Sequence, residues 1–257
     1  MPASHGRSLA LSPARRLVVD LLHFARRLPS VPVQRAMALA PVVAARARLA
    51  ERPSWTVVFA RAFALVAAEV PELRRAYLGF PRPHLYEHPE SVAAVALERE
   101  VDGESAVLVG QLLDPAGQGL AALDARLRHF RTRPVEGVGR FRLALRVSRM
   151  PRPLRRFLWW AILNVSGWHR SLRMGTFGVT AYSALGAESL HPVSPLTITL
   201  TYGVIAPDSG VTVRLIYDHR VLNGTTVARS LARMEEVLCG PVVRELEALA
   251  GPAAAAA

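Results

Sequence analysis

The chain has 257 residues, 51% hydrophobic and 20% charged, a globular composition with enough length to bury one ordinary core. Its 32 basic side chains are all arginine and outnumber 20 acidic ones, giving a net charge of +12 and a pI near 11.3. The single cysteine, Cys239, excludes an intramolecular disulfide framework and multi-cysteine zinc or iron–sulfur sites.

The charge excess is local. Residues 126–173 contain 13 arginines and one acid, Glu136, while the other 209 residues balance 19 arginines against 19 acids. Met1 to Arg16 lacks the apolar core of a signal peptide. No uncharged apolar run reaches the roughly 18 residues a membrane span needs, and the candidate Phe157 to Val165 is too short. Cytoplasmic residence is therefore the expectation.

Leu17 to Leu28 reads as a short helix, and Val31 to Leu39 as a strand broken by Pro32. Pro41 opens a helix to about Glu51. Ser54 caps a helix from Trp55 to Val70, apolar on most sides and so expected to be buried. Ser91 to Glu98 and Ser105 to Leu112 are β-like, joined through Asp102-Gly103, a hairpin signal. Gly119 to Arg131 reads as a helix, Arg142 to Arg149 as extended, and Leu154 to Val165 as a helix. Thr176 to Tyr182, Leu196 to Ile205 and Val211 to Tyr217 read as strands, the last two joined by the turn sequence Pro207-Asp208-Ser209-Gly210. Thr225 to Leu238 and Val242 to Leu249 read as helices. This mixture points to an α/β or α+β fold.

The sharpest motif is Tyr217-Asp218-His219-Arg220-Val221-Leu222-Asn223-Gly224, between a strand and a helix. A histidine at a strand end can hold its imidazole towards a cleft, and imidazoles ordinarily titrate near neutral pH, which suits general-base work. Asn223 can bond backbone and fix the turn, and Gly224 offers a backbone freedom that other residues resist. His84 and His88 flank Tyr86 in a Pro-rich segment that reads as surface loop. His191, before Pro192, reads as local structure, and Cys239 as an inert thiol.

Asp218-His219-Arg220-Val221-x-Asn223-Gly224 resembles the Asp-His-Arg-x-x-Asp/Asn-Gly signature of the 2-oxoacid dehydrogenase acyltransferase (E2) catalytic domain, which shares its fold with chloramphenicol acetyltransferase. Other segments match in order. Met174 to Thr180 is similar to the family's Gly-Thr-Phe-Thr-Ile-Ser strand. Trp55 to Tyr77 resembles its buried helix with the following Val-Pro-Glu-Leu, and Val92 to Val109 resembles its Asp-Gly hairpin. Together these cover roughly residues 25 to 248.

The resemblance implies a chloramphenicol acetyltransferase-like α/β fold, two-layered, with a mixed β-sheet packed against helices. It makes 16–250 one catalytic domain carrying a basic, Trp-rich insertion at about 126–173, while composition alone marks the polar N-terminus at 1–15 and the low-complexity tail at 251–257 as disordered. It implies an acyltransferase in which His219 removes a proton from a thiol or hydroxyl that then attacks a thioester. Thr180 stands where the family has an oxyanion-stabilising serine, with Ser183 as the fallback in register. Asn223 joins the catalytic set, while Asp218, Arg220 and Gly224 support the active-site loop. Coenzyme A enters as substrate, or a carrier-protein or lipoyl thiol in its place. Neither a metal nor a tightly bound cofactor is implied. A homotrimer with interfacial sites is implied, His219 facing the neighbour.

Two departures stand out. No room for lipoyl or subunit-binding domains precedes the matched region, and the chain has no lysine to carry lipoate. A stand-alone enzyme using acyl-CoA, or an acyl carrier, therefore fits better than a complex subunit. The second departure is the basic stretch, which holds three of the four tryptophans. Trp159, Trp160, Arg155 and Arg156 are candidate substrate or cofactor contacts. The same stretch could lie on a membrane surface or pack as an ordinary helix with solvated arginines; nucleic acid is disfavoured because no nucleic-acid motif is present. The alternative to catalysis is a scaffold subunit that assembles a complex or docks at a membrane.

Overall fold

The computed structural model describes residues 6–250. Nine helices and eight strands follow one another among the described residues: α1 Pro13–Ala25, β1 Ser30–Ala38, α2 Ala40–Ala47, α3 Trp55–Glu69, β2 Arg75–Leu78, β3 His84–Glu87, β4 Val92–Val101, β5 Glu104–Leu113, α4 Leu120–Thr132, α5 Gly139–Arg149, α6 Arg152–Asn164, α7 Gly167–Met174, β6 Phe177–Val179, β7 Ile198–Tyr202, β8 Gly210–Asp218, α8 Gly224–Val237 and α9 Val243–Ala250. The helix α1 starts inside the stretch expected to be disordered, with the Ser12 side chain accepting from the Arg15 N–H as its cap. The expected tail at 251–257 lies outside the described residues.

Six strands form one mixed sheet in the order β1-β8-β7-β6-β4-β5. The β4–β6 and β6–β7 pairs are parallel and the others antiparallel. The expected mixed sheet packed against helices is present. Pro32 does not break β1. It pairs in register with Ile216 on an edge strand, where a missing N–H can face away from the ladder. Asp102 and Gly103 both take positive φ between β4 and β5, which makes the tight hairpin their sequence implies.

The core is apolar because its elements are. Nine residues of α3 are buried, including Phe59, which stacks on Tyr202, and Phe63, which packs at a tilt against Phe177 of the sheet. The helix packs between α4 and α8 and onto β4, while α2 and α9 close that side. A second group, α1 with α5, α6 and α7, contacts β5, β2 and β4.

Two expectations are corrected here. Arg142 to Arg149 is helical, not extended. Phe141, Leu145 and Ser148 recur at i, i+4 and i+7 and bury one face of α5, so Arg142, Arg146 and Arg149 share the other. His88 is buried rather than on a surface loop. Its two ring nitrogens lack hydrogen-bond partners among the described residues. Burial, reinforced by Arg170 and Arg74, pushes its pKa down to about 4 and keeps it neutral. The small β2–β3 sheet has no strand signal in the sequence, because Pro81 and Pro83 make its connection look like open loop.

Candidate active site

The strand β8 delivers its last residue, Asp218, into the interior and turns sharply. The N–H groups of Val221 and Leu222 both donate to the Asp218 carbonyl, at 3.0 and 3.1 Å. His219 sits on this turn with an exposed side chain. Its own N–H donates to the Pro29 carbonyl at 3.1 Å, which ties the loop to the entry of β1. The Tyr217 ring lies 5.6 Å from the imidazole.

Asp218 and Arg220 brace the turn. The Asp218 carboxylate, 1% exposed, accepts from the Arg220 backbone N–H at 3.0 Å and from its guanidinium at 2.6 and 2.9 Å. The guanidinium also lies 4.3 Å above the Tyr77 ring. Lining the same cavity is Arg170, which looks in sequence like any of its basic neighbours. This side chain is buried and donates to the carbonyls of Tyr77, Leu163 and Pro195 at 3.0 to 3.1 Å. Burial pulls the Arg170 pKa down to about 10, against the opposing charge of Asp218.

Asn223 is the N-cap of α8. Its Oδ1 accepts from the Thr226 N–H at 2.9 Å and from the Thr226 hydroxyl at 3.0 Å. Gly224 does not supply the expected special backbone angle. It starts α8, outside the positive-φ glycines, and an added Cβ would meet the Tyr217 hydroxyl at an ordinary 3.4 Å.

Thr180 follows β6, its N–H donating to the Leu200 carbonyl at 3.1 Å. One chain does not bring it to His219. In register, Thr180 lies level with Thr201, whereas His219 lies level with Leu196 at the other end of β7. Five residues of strand separate the two levels, about 16 Å at roughly 3.3 Å per residue. Ser183 is on the Thr180 end, beside the Tyr202 hydroxyl.

The basic stretch divides. Arg155 is not available as a substrate contact: it is buried, donates to both Asp20 carboxylate oxygens at 2.5 and 3.4 Å, and also meets the Ser148 and Met150 carbonyls. Arg156 turns to the same carboxylate at 3.6 Å and to His23 at 3.3 Å. Trp159 stacks on Phe24, with ring centroids 6.1 Å apart. Trp160 lies closer to the His219 loop. With Phe24, Arg27, Tyr77, Arg170 and Arg220 it lines a cavity of about 150 Å³ beside the His219 loop. A larger groove of about 350 Å³ lies away from this loop, around Glu51, Asp124 and Arg128. No group of three or more metal-ligating side chains occurs among the described residues.

No family model matches the chain, and no curated protein matches it. Solved structures do. A probable dihydrolipoamide acetyltransferase from Listeria monocytogenes superposes with a TM-score of 0.64 at 14% identity, over 91% of this chain and 94% of the other. The Azotobacter vinelandii dihydrolipoamide acetyltransferase gives 0.65 at 14% identity, over 92% and 93%. A truncated catalytic core of the Thermoplasma acidophilum 2-oxoacid dehydrogenase multienzyme complex gives 0.64 at 16% identity, over 92% and 99%. The chain thus has the fold of the E2 acyltransferase catalytic core along nearly its whole length.

Proposed function

We propose that the protein is an acyltransferase, moving an acyl group between coenzyme A, or a carrier thiol, and a small acceptor. The observation that carries this reading is the strand-end histidine, held by backbone and braced by the ion pair between buried Asp218 and exposed Arg220, with its imidazole open to solvent. The Azotobacter vinelandii structure concerns a serine, a histidine and an asparagine four residues beyond the histidine in that enzyme's catalytic mechanism. His219 and Asn223 have the same spacing, and Thr180 is the upstream hydroxyl.

In this mechanism His219 takes the proton of the attacking thiol or hydroxyl. The new oxygen or sulfur bond to the thioester carbonyl creates a tetrahedral oxyanion, which needs a donor held in place. The intermediate collapses by breaking the old carbon–sulfur bond, and the departing thiolate takes the proton back from the imidazolium. Because Thr180 and His219 stand at opposite ends of the sheet, the Thr180 hydroxyl reaches this oxyanion from a second copy. A cyclic trimer supplies that pairing at each of its interfaces. Asn223 acts by fixing the start of α8, and so the turn that carries the histidine.

The test is thiol release from acetyl-CoA and longer acyl-CoAs, with and without thiol, amine and alcohol acceptors. The reading expects acceptor-dependent release with at least one donor. Silence with every donor and acceptor would favour a scaffold instead.

A further inference from the structure

We infer that α6 and α7 form a docking face for an anionic phospholipid surface. Both helices are built inside out. In α6 the buried residues are Arg155 and Leu163, while Leu154 and Phe157 are exposed, Phe157 to 59%. In α7 the buried residues are Gly167 and Arg170, while Leu172 and Trp168 are exposed, Trp168 to 58%. Each helix therefore turns an arginine into the protein, towards Asp20 or a set of carbonyls, and turns one ring outwards, Phe157 or Trp168. An ordinary surface helix does the opposite, and large apolar side chains left exposed on two packed helices mark a surface that meets something apolar.

Charge selects the occupant. Neither α6 nor α7 carries an acidic side chain, and Arg152 and Arg173 are exposed at the two ends of the face. Outside residues 126–173 the chain is neutral, so a second copy offers no matching negative field. Anionic headgroups offer that field, and the acyl boundary beneath them takes the rings. No described helix is long and apolar enough to cross a membrane, so the 13 residues of α6 would lie in the plane of the surface. Trp160, on the same helix, lines the cavity by the His219 loop, which places the docked surface next to the candidate active site.

The inference does not depend on acyl transfer, and its test does not read activity. The full chain is sedimented with vesicles of phosphatidylcholine containing about 30% phosphatidylglycerol, and with phosphatidylcholine alone. Binding is expected only to the anionic vesicles, to fall steeply with added salt, and to weaken about tenfold or more in a Phe157→Glu, Trp168→Glu variant. Arg152→Gln with Arg173→Gln, which keeps the rings, should also weaken it. Melting temperature and oligomeric mass should be unchanged in both. Absence of binding by the wild type, or equal binding by the ring variant, would overturn the inference. So would a change of oligomeric mass in the ring variant, which would show the face to lie between copies of the chain.

Discussion

Replacing His219 by alanine lowers acyl transfer by about 10²- to 10⁴-fold, the usual contribution of a positioned general base. The loss should be confined to turnover. The His219 side chain is exposed, and the turn is held by its backbone N–H on Pro29 and by the Asp218–Arg220 pair. None of these is removed by the substitution, so the melting temperature should stay within a degree or two of wild type. Steady-state thiol release and a thermal melt on the same preparation check both halves. Wild-type turnover in the variant would remove His219 from the chemistry.

Asp20→Ala is the substitution expected to damage the fold most. Asp20 is completely buried and meets Arg155 at 2.5 Å and Arg156 at 3.6 Å. Removing the carboxylate leaves a buried guanidinium without its counter-charge, at a cost of about 3–5 kcal/mol. In a domain of this size that lowers the melting temperature by about 6–20 °C. Asp20→Leu combined with Arg155→Leu removes both charges and should recover most of the loss, because a buried pair and an apolar replacement are nearly equivalent. Calorimetry of the two variants decides it. An Asp20→Ala protein that melts like wild type would show the pair to be structurally idle.

Much of the fold was legible because its signals are local. The φ-demanding Asp102-Gly103 sits between two Val-rich runs, and the apolar helix from Trp55 is started by Ser54 and stopped by Pro71. His219 between a strand and an Asn-capped helix was legible for the same reason. What escaped depends on partners far away in sequence. Arg155 looks like a ligand contact until α6 is laid against α1, where Asp20, 135 residues earlier, claims it. His88 looks like loop surface until the fold buries it with Arg170 and Arg74 as charged neighbours. Arg142 to Arg149 is short, and over eight residues an Arg-apolar mixture fits a helix as well as a strand. The separation of Thr180 from His219 comes from sheet register, which no local pattern records.

That separation calls for a site whose base and oxyanion donor come from two copies. Co-expressing His219→Ala chains with Thr180→Val chains tests it most directly. Each variant alone should be nearly inactive. In randomly mixed oligomers, about one site in four receives an intact histidine from one chain and an intact threonine from its neighbour. Thiol release should then recover to about a quarter of the wild-type rate. Activity no greater than that of the separate variants, in oligomers shown to contain both chains, would contradict the shared site.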